Sequence, residues 1–316
     1  MPLRAGLVAA CLAAVAATGC GSSAAPSSSA ATPRLHPLPA PVRVPGARTL
    51  VAAGDIACGP DTTKSRNGCH QQETAHLIDV LRPDVVAALG DLQYPDGKLG
   101  DFRRFFAPSW GRWLARMRPT PGNHEYVNGP AGYFGYFGAR AGPDHRGWYS
   151  FDLGAWHLVS LNGNCDKIPC GPGSAQVRWL RADLAAHPAR CTLAFWHEPR
   201  FSSGMHGSSR AVAWLWQALQ DAGADVVLSG HDHDYERFAP QDNTGRRDDA
   251  RGMVQFVVGT GGINHYPVFR HKPNSVVHSN FTFGVLRLTL RADSYSWRFF
   301  PERGATFTDA GSARCH

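Results

Sequence analysis

Five short motifs rich in metal-ligating residue types recur along this chain, each after an apolar run: Gly54-Asp55, Gly90-Asp91-Leu92-Gln93-Tyr94, Gly122-Asn123-His124-Glu125, Trp196-His197 and Gly230-His231-Asp232-His233. Several of the runs are short and β-branched, the pattern of strands. Residues 49–53 lead into Asp55, 84–89 into Asp91, 192–196 into His197 and 225–228 into His231. Two further runs, 156–161 and 253–258, carry the same signal, and the second opens into Gly259-Thr260-Gly261-Gly262. Helical spacing appears between them. Residues 71–81 stop at Arg82-Pro83, 174–187 carry Val177, Leu180, Leu184 and Ala185, and 208–222 carry Val212, Leu215, Trp216 and Leu219. Such alternation predicts a layered α/β architecture. Residues 283–290 and 294–300 predict antiparallel strands, so the sheet is expected to be mixed. Residues that follow strand ends converge on one sheet edge, which lets motifs distant in sequence meet. Together the motifs offer three His, two Asp, one Asn and one Tyr, enough nitrogen and oxygen for two cations. Two adjacent cations in an open site point to phosphate-ester hydrolysis.

A chain of 316 residues accommodates one large domain or two small ones, and 43% hydrophobic with 18% charged residues is a globular composition. The 34 Gly and 23 Pro fit a loop-rich enzyme better than a helical bundle. The net charge of +7 comes mostly from scattered Arg without a Lys/Arg block. That distribution reads as a solvated basic surface able to attract phosphorylated substrates, and not as a specific nucleic-acid stripe.

Residues 1–19 read as an export signal, with Arg4 as its charged start and an apolar stretch too short to span a bilayer. Ala17-Thr18-Gly19-Cys20 resembles a bacterial lipobox, with Ala where Leu is preferred. A lipid on Cys20 would anchor the protein to a membrane; an ordinary cleaved signal is the alternative. Residues 20–47 form a Ser/Ala/Pro linker, and residues 48–316 are the expected catalytic domain. An exported chain is expected to be a cell-envelope lipoprotein or else secreted. Export also implies an oxidising compartment, where Cys58, Cys69, Cys165, Cys170, Cys191 and Cys315 can pair. Cys58/Cys69 and Cys165/Cys170 are close in sequence, and Cys191/Cys315 would then remain; six cysteines leave other pairings open.

The ordered set Gly-Asp, Gly-Asp-x-x-Tyr, Gly-Asn-His-Glu, x-His and Gly-His-x-His resembles the calcineurin-like metallophosphoesterase superfamily, and within it the purple acid phosphatase branch, over nearly all of the chain after the linker. The resemblance implies a mixed-sheet, four-layer α/β/β/α sandwich. It also implies a first metal on Asp55, Tyr94 and His233, a bridging Asp91, and a second metal on Asn123, His197 and His231. Many members of the superfamily carry Asp-x-His in the first motif; here Asp55-Ile56-Ala57 lacks that His, and Tyr94 stands where the branch places a tyrosinate. A phenol with a pKa near ~10 ligates as phenolate only beside a strongly acidic cation, which favours Fe3+ there. Asn123 and two imidazoles suit a divalent ion such as Zn2+, Fe2+ or Mn2+. The implied reaction is hydrolysis of phosphate monoesters of small molecules, by attack of a metal-held hydroxide on phosphorus. His124 is the first candidate to protonate the leaving group. The second is His206, in Ser202-Ser203-Gly204-Met205-His206-Gly207, which resembles the branch's substrate-side His. A phosphodiesterase or nucleotide hydrolase could use the same ligands. A non-catalytic envelope binding protein on this fold should have lost some of them.

Other conspicuous residues receive plainer expectations. Asp232 is read as a solvated spacer or a group behind the ligands. His36, His145, His157, His187, His265, His271, His278 and His316 are read as surface or core histidines, with His265 the best exception. The Gly259–Gly262 loop is expected to make a tight turn near the site. Trp110, Trp113, Trp214 and Trp216 are read as core contacts. Tyr133, Phe134, Tyr136 and Phe137 are placed in a Gly-rich loop, either lining a cleft or anchoring the loop.

Overall fold

The computed structural model describes residues 44–316. The expected export signal, Cys20 and most of the expected linker lie outside the described residues. In chain order the strands are β1 (Arg48–Ala53), β2 (Val85–Leu89), β3 (Met117–Thr120), β4 (Tyr149–Leu153), β5 (Trp156–Ser160), β6 (Cys191–Phe195) and β7 (Val226–Ser229). They continue as β8 (Tyr235–Phe238), β9 (Val254–Val258), β10 (Ser275–Ser279), β11 (Gly284–Leu290), β12 (Ser294–Pro301) and β13 (Ala310–Arg314). The α-helices are α1 (Gln71–Leu81), the single turn α2 (Leu99–Asp101), α3 (Ala131–Phe137), α4 (Ala175–Ala186) and α5 (Ala213–Asp221).

The strands form two mixed sheets, a six-stranded one in the order β13-β12-β11-β1-β2-β3 and a seven-stranded one in the order β10-β8-β9-β7-β6-β5-β4. Parallel pairing joins β1, β2 and β3 in the first and β5, β6, β7 and β9 in the second. Strand residues alternate between faces, and that period of two builds the layers. Leu193 and Phe195 of β6, Val226 and Leu228 of β7 and Phe256 of β9 join the core shared with the first sheet. Ala194, Val227 and Val257 turn the other way, onto a second core with Val177, Leu180, Leu215, Trp216 and Leu219 of α4 and α5. Helix α1 covers the first sheet with Ala75, Leu77, Ile78 and Leu81. The result is the expected helix–sheet–sheet–helix sandwich. Each fully buried Leu or Phe in it contributes roughly 1.5–3 kcal/mol.

Local signals set the helix ends. Arg82 adopts a left-handed conformation ahead of Pro83, and α1 stops there. Ser174 caps α4 by accepting the Val177 N–H at 3.2 Å. Helix α5 starts at Ala213, later than its sequence pattern predicts, because residues 208–209 are bound to the preceding loop. There Ser208 Oγ accepts the Ser202 N–H at 3.1 Å and the Ser209 N–H donates to Pro199 O at 2.9 Å.

Two readings change. The segment with Tyr133, Phe134 and Phe137 is helix α3, not a loop, and these rings are buried among Phe102 and Phe106. They anchor the segment and do not line a cleft. Trp214 is exposed, whereas Trp110 and Trp216 are fully buried. His157 is a core histidine held between carboxylates, with Nδ1 2.9 Å from Asp152 Oδ1 and Nε2 2.9 Å from Asp183 Oδ2. All three cysteine pairs form: Cys58–Cys69, Cys165–Cys170 and Cys191–Cys315, the last tying the C-terminal tail to β6.

Candidate metal centre

Parallel strands β1, β2 and β3 of one sheet and β6 and β7 of the other point their C-terminal ends at one place. Asp55, Asp91, Asn123, His197 and His231 follow those ends within three residues. Hydrogen bonds between the sheets lock the edges together: the Gly54 N–H donates to Val258 O at 2.9 Å and the His231 N–H to Asp55 Oδ2 at 2.9 Å. Asp55, Asp91 and His231 have φ of 61°, 49° and 72°, a left-handed conformation that costs non-glycine residues about 1–2 kcal/mol each. The turn it makes aims each side chain inward. Glycines in the motifs let the strand ends close. A Cβ on Gly90 would lie 2.6 Å from the His197 ring, and one on Gly122 would lie 2.2 Å from Asp91 Oδ1.

All seven expected ligands come together, in two groups that share one oxygen. In the first, Tyr94 Oη lies 3.1 Å from Asp55 Oδ1, 3.0 Å from Asp91 Oδ2 and 3.1 Å from His233 Nε2. In the second, His197 Nε2 lies 3.2 Å from Asp91 Oδ2, 3.2 Å from Asn123 Oδ1 and 3.3 Å from His231 Nδ1. Donors about 2.1 Å from a common ion lie roughly 3.0–3.4 Å apart, so each group has the spacing of a coordination shell. The far nitrogens set the tautomers. His197 Nδ1 donates to Leu89 O at 2.8 Å and His233 Nδ1 to Asn264 Oδ1 at 2.6 Å, leaving each Nε2 facing the centre.

Charge is unevenly held. Burial works to raise the Asp91 carboxyl, but His197 and His124 hold it far below the usual range. Burial would lower His197, yet Asp91 and Asp55 push it well up. Burial and the neighbouring His197 drive His231 down to about 2. Burial, Asp91 and Asp55 raise the Tyr94 phenol well above its ordinary value. Oxygen and nitrogen lone pairs gathered so closely fit cations, and the chemistry of the donor set suits two of them.

Both candidate proton donors border the centre. His124 Nδ1 lies 2.6 Å from Pro95 O, leaving Nε2 directed inward, 3.8 Å from Asp91 Oδ2. The His206 ring is exposed and sits 4.4 Å from the His231 ring, centroid to centroid.

Three supporting residues lay beyond the motif reading. Glu125 is buried and accepts N–H bonds from Asp91, Leu92, Gln93 and Gly122 at 2.7–3.2 Å, fixing the loop that carries Asp91 and Tyr94. Its place in Gly-Asn-His-Glu was the available signal. Asp232 is buried, which favours the second of its two expected roles, a group behind the ligands. Asn264 and Tyr266, which stacks on His233 at 3.8 Å, come from the loop after Gly259–Gly262 and had no signal of their own. His265, from the same loop, lies against the His233 carbonyl at 3.2 Å. Gly261 N–H donates to Gly54 O at 2.9 Å, so the Gly259–Gly262 loop does turn against the site. Elsewhere His157, Asp183 and His187 also cluster, but both His157 nitrogens already meet carboxylates.

Comparison with known proteins agrees. The calcineurin-like phosphoesterase model matches residues 49–235. Purple acid phosphatase 21 of Arabidopsis thaliana is 31% identical over 245 residues, covering 68% of this chain and 54% of the relative. Purple acid phosphatase 18 of the same plant is 30% identical over 251 residues, covering 73% and 53%. The chain thus spans about half the length of these relatives. The fold matches purple acid phosphatase PPD1 from yellow lupin (Lupinus luteus) seeds with a TM-score of 0.69 at 20% identity, over 86% of this chain and 55% of that one. GAP50, the anchor in the inner membrane complex of Plasmodium, shares the fold with a TM-score of 0.59 at 16% identity, over 83% of this chain and 88% of that one. The chain belongs to the calcineurin-like phosphoesterase family, on its purple acid phosphatase-like branch.

Proposed function

We propose that this protein hydrolyses phosphate monoesters of small molecules at a dinuclear metal centre. The observation that carries the proposal is the pair of donor groups meeting at Asp91 Oδ2. Asp55, Tyr94 and His233 would hold one ion, Asn123, His197 and His231 the other, and Asp91 would bridge them. Bound there, the cations supply Lewis acidity toward the phosphoryl oxygens and lower the pKa of a water. Tyr94 favours Fe3+ on its side because its buried phenol gives up a proton only to a strongly acidic cation. Zn2+, Fe2+ or Mn2+ suits the amide and two imidazoles opposite.

The chain's own residues do the rest. Glu125 and the turns at Asp55 and Asp91 hold the carboxylates rigid. His124 Nε2 and the His206 ring flank the space above the shared carboxylate, and either can deliver a proton to the leaving oxygen. A protein that only anchors others would have no need of a complete donor set. The three disulfides support an exported protein, and a lipid on Cys20 would tether it to a membrane.

The test is phosphate release from an aryl phosphate monoester and the matching diester by metal-loaded protein, with Asn123→Ala as control. Monoester turnover abolished by the substitution is the expected result. Preference for the diester would keep the centre and move the function to phosphodiesterase. No release of either by protein holding both metals would contradict the proposal.

A further inference from the structure

The loop that carries His206 is closed around one buried carboxylate. Asp232 is fully buried, between His231 and His233 in sequence. Its Oδ1 accepts the His206 N–H at 2.7 Å, and its Oδ2 accepts the Gly207 N–H at 3.1 Å and the Ser202 hydroxyl. The Gly204 backbone passes so close that a Cβ there would lie 2.4 Å from Asp232 Cγ. The Gly204 N–H also donates to Ser202 Oγ at 2.9 Å. Four residues after Asp232, Glu236 accepts the Ser203 N–H at 2.8 Å and holds the loop's stem. Hydrogen bonds to a buried carboxylate are charge-assisted and strong. The His206 imidazole itself is exposed, so its main chain fixes where the ring can go.

We infer that Asp232 is a positioning residue for proton delivery, setting His206 over the centre by gripping the amides of His206 and Gly207. The carboxylate does not touch the substrate and acts only through His206. This rests on His206 as the proton donor to the leaving group. The geometry links two motifs otherwise separate in the chain: the residue between the last two histidines of Gly-His-x-His anchors the loop that follows Trp196-His197. Asn at position 232 can accept on one side only and must turn its NH2 toward a donor, so the loop loses half its grip. A displacement of about 1 Å at a catalytic group costs on the order of 10²-fold in rate.

The test is a double-mutant cycle of Asp232→Asn and His206→Ala on full-length, metal-loaded protein, with an alkyl and an aryl phosphate as substrates. The alkyl leaving group needs a proton and the aryl one needs it far less. Both single variants should lose more kcat on the alkyl substrate, His206→Ala by on the order of 10²-fold or more. Asp232→Asn should cost nothing further in the His206→Ala background. Hydrogen exchange supplies a readout independent of turnover: the His206 and Gly207 amides should lose protection in Asp232→Asn while bound metal stays at the wild-type level. Additive losses, equal losses on both substrates, unchanged amide protection or lost metal would each overturn the role of Asp232. If His206→Ala itself shows no leaving-group dependence, the His206 assignment falls and this inference falls with it.

Discussion

Two buried polar clusters in this protein solve the same problem in opposite ways. Around Asp309 every acceptor meets a proton: Oδ2 accepts from Tyr235 Oη at 2.7 Å, Arg237 Nε at 2.7 Å and Trp297 Nε1 at 3.0 Å, and Oδ1 accepts from Arg237 Nη2 at 3.0 Å. Around Asp91 the lone pairs of two carboxylates, an amide and the inward-facing nitrogens of three imidazoles converge, with the Tyr94 phenol among them. The first cluster is complete as it stands and ties the 302–309 loop to β8 and β12. The second is completed by positive charge from outside the chain. A buried network short of protons is a liability for stability and an asset for binding cations.

The contrast is sharpest at the shared carboxylate. Asp91→Asn should lower turnover by about 10³-fold or more and reduce bound metal, while the metal-free protein unfolds no more easily than wild type; metal analysis and phosphate release check this. Asp309→Ala should do the reverse. Arg237 loses its partner and stability should fall by about 3 kcal/mol in urea unfolding, with turnover per folded molecule unchanged. Tyr94→Phe removes one donor from the first group. We expect about a tenfold loss of turnover, and disappearance of the visible absorption that an iron-phenolate bond gives.

The smallest effect concerns a third, self-satisfied cluster. Burial lowers His157, but Asp183 and Asp152 raise it overall; burial raises Asp183, but His157 and Ser150 lower it overall. The raised His contributes stability below its unfolded value near ~6.5 and loses it as pH rises through the folded one. The depressed Asp contributes above its unfolded value near ~3.8 and loses it as pH falls through the folded one. His157→Asn should therefore lower Tm by a few degrees near pH 5, with the deficit fading in alkaline buffer.

Central strands were legible because both their faces are buried. Val85–Leu89 is a continuous apolar run, Cys191–Phe195 and Val254–Val258 are apolar but for Thr192 and Gln255, and all three are buried at every position. The strands without a sequence signal are mostly edges. β3, β4, β10 and β13 end the sheet orders, and β10 and β13 alternate exposed with half-buried residues. β3 even contains Pro119, which an edge tolerates. The short β8, Tyr235–Phe238, gave too little pattern to read. At the site, residues at strand ends were legible because topology alone brings strand ends together. Asn264 and Tyr266 were not, since a loop's path depends on packing that no periodicity encodes. Asp232 was ambiguous for a related reason: whether an aspartate faces water or a folded-back loop depends on residues about 30 positions away.

The most direct measurement is anomalous X-ray diffraction from crystals of the metal-loaded protein. Two peaks are expected, one bounded by Asp55, Asp91, Tyr94 and His233 and the other by Asp91, Asn123, His197 and His231. No peak there, or metal only at His157, Asp183 and His187, would contradict a dinuclear centre and the hydrolase built on it.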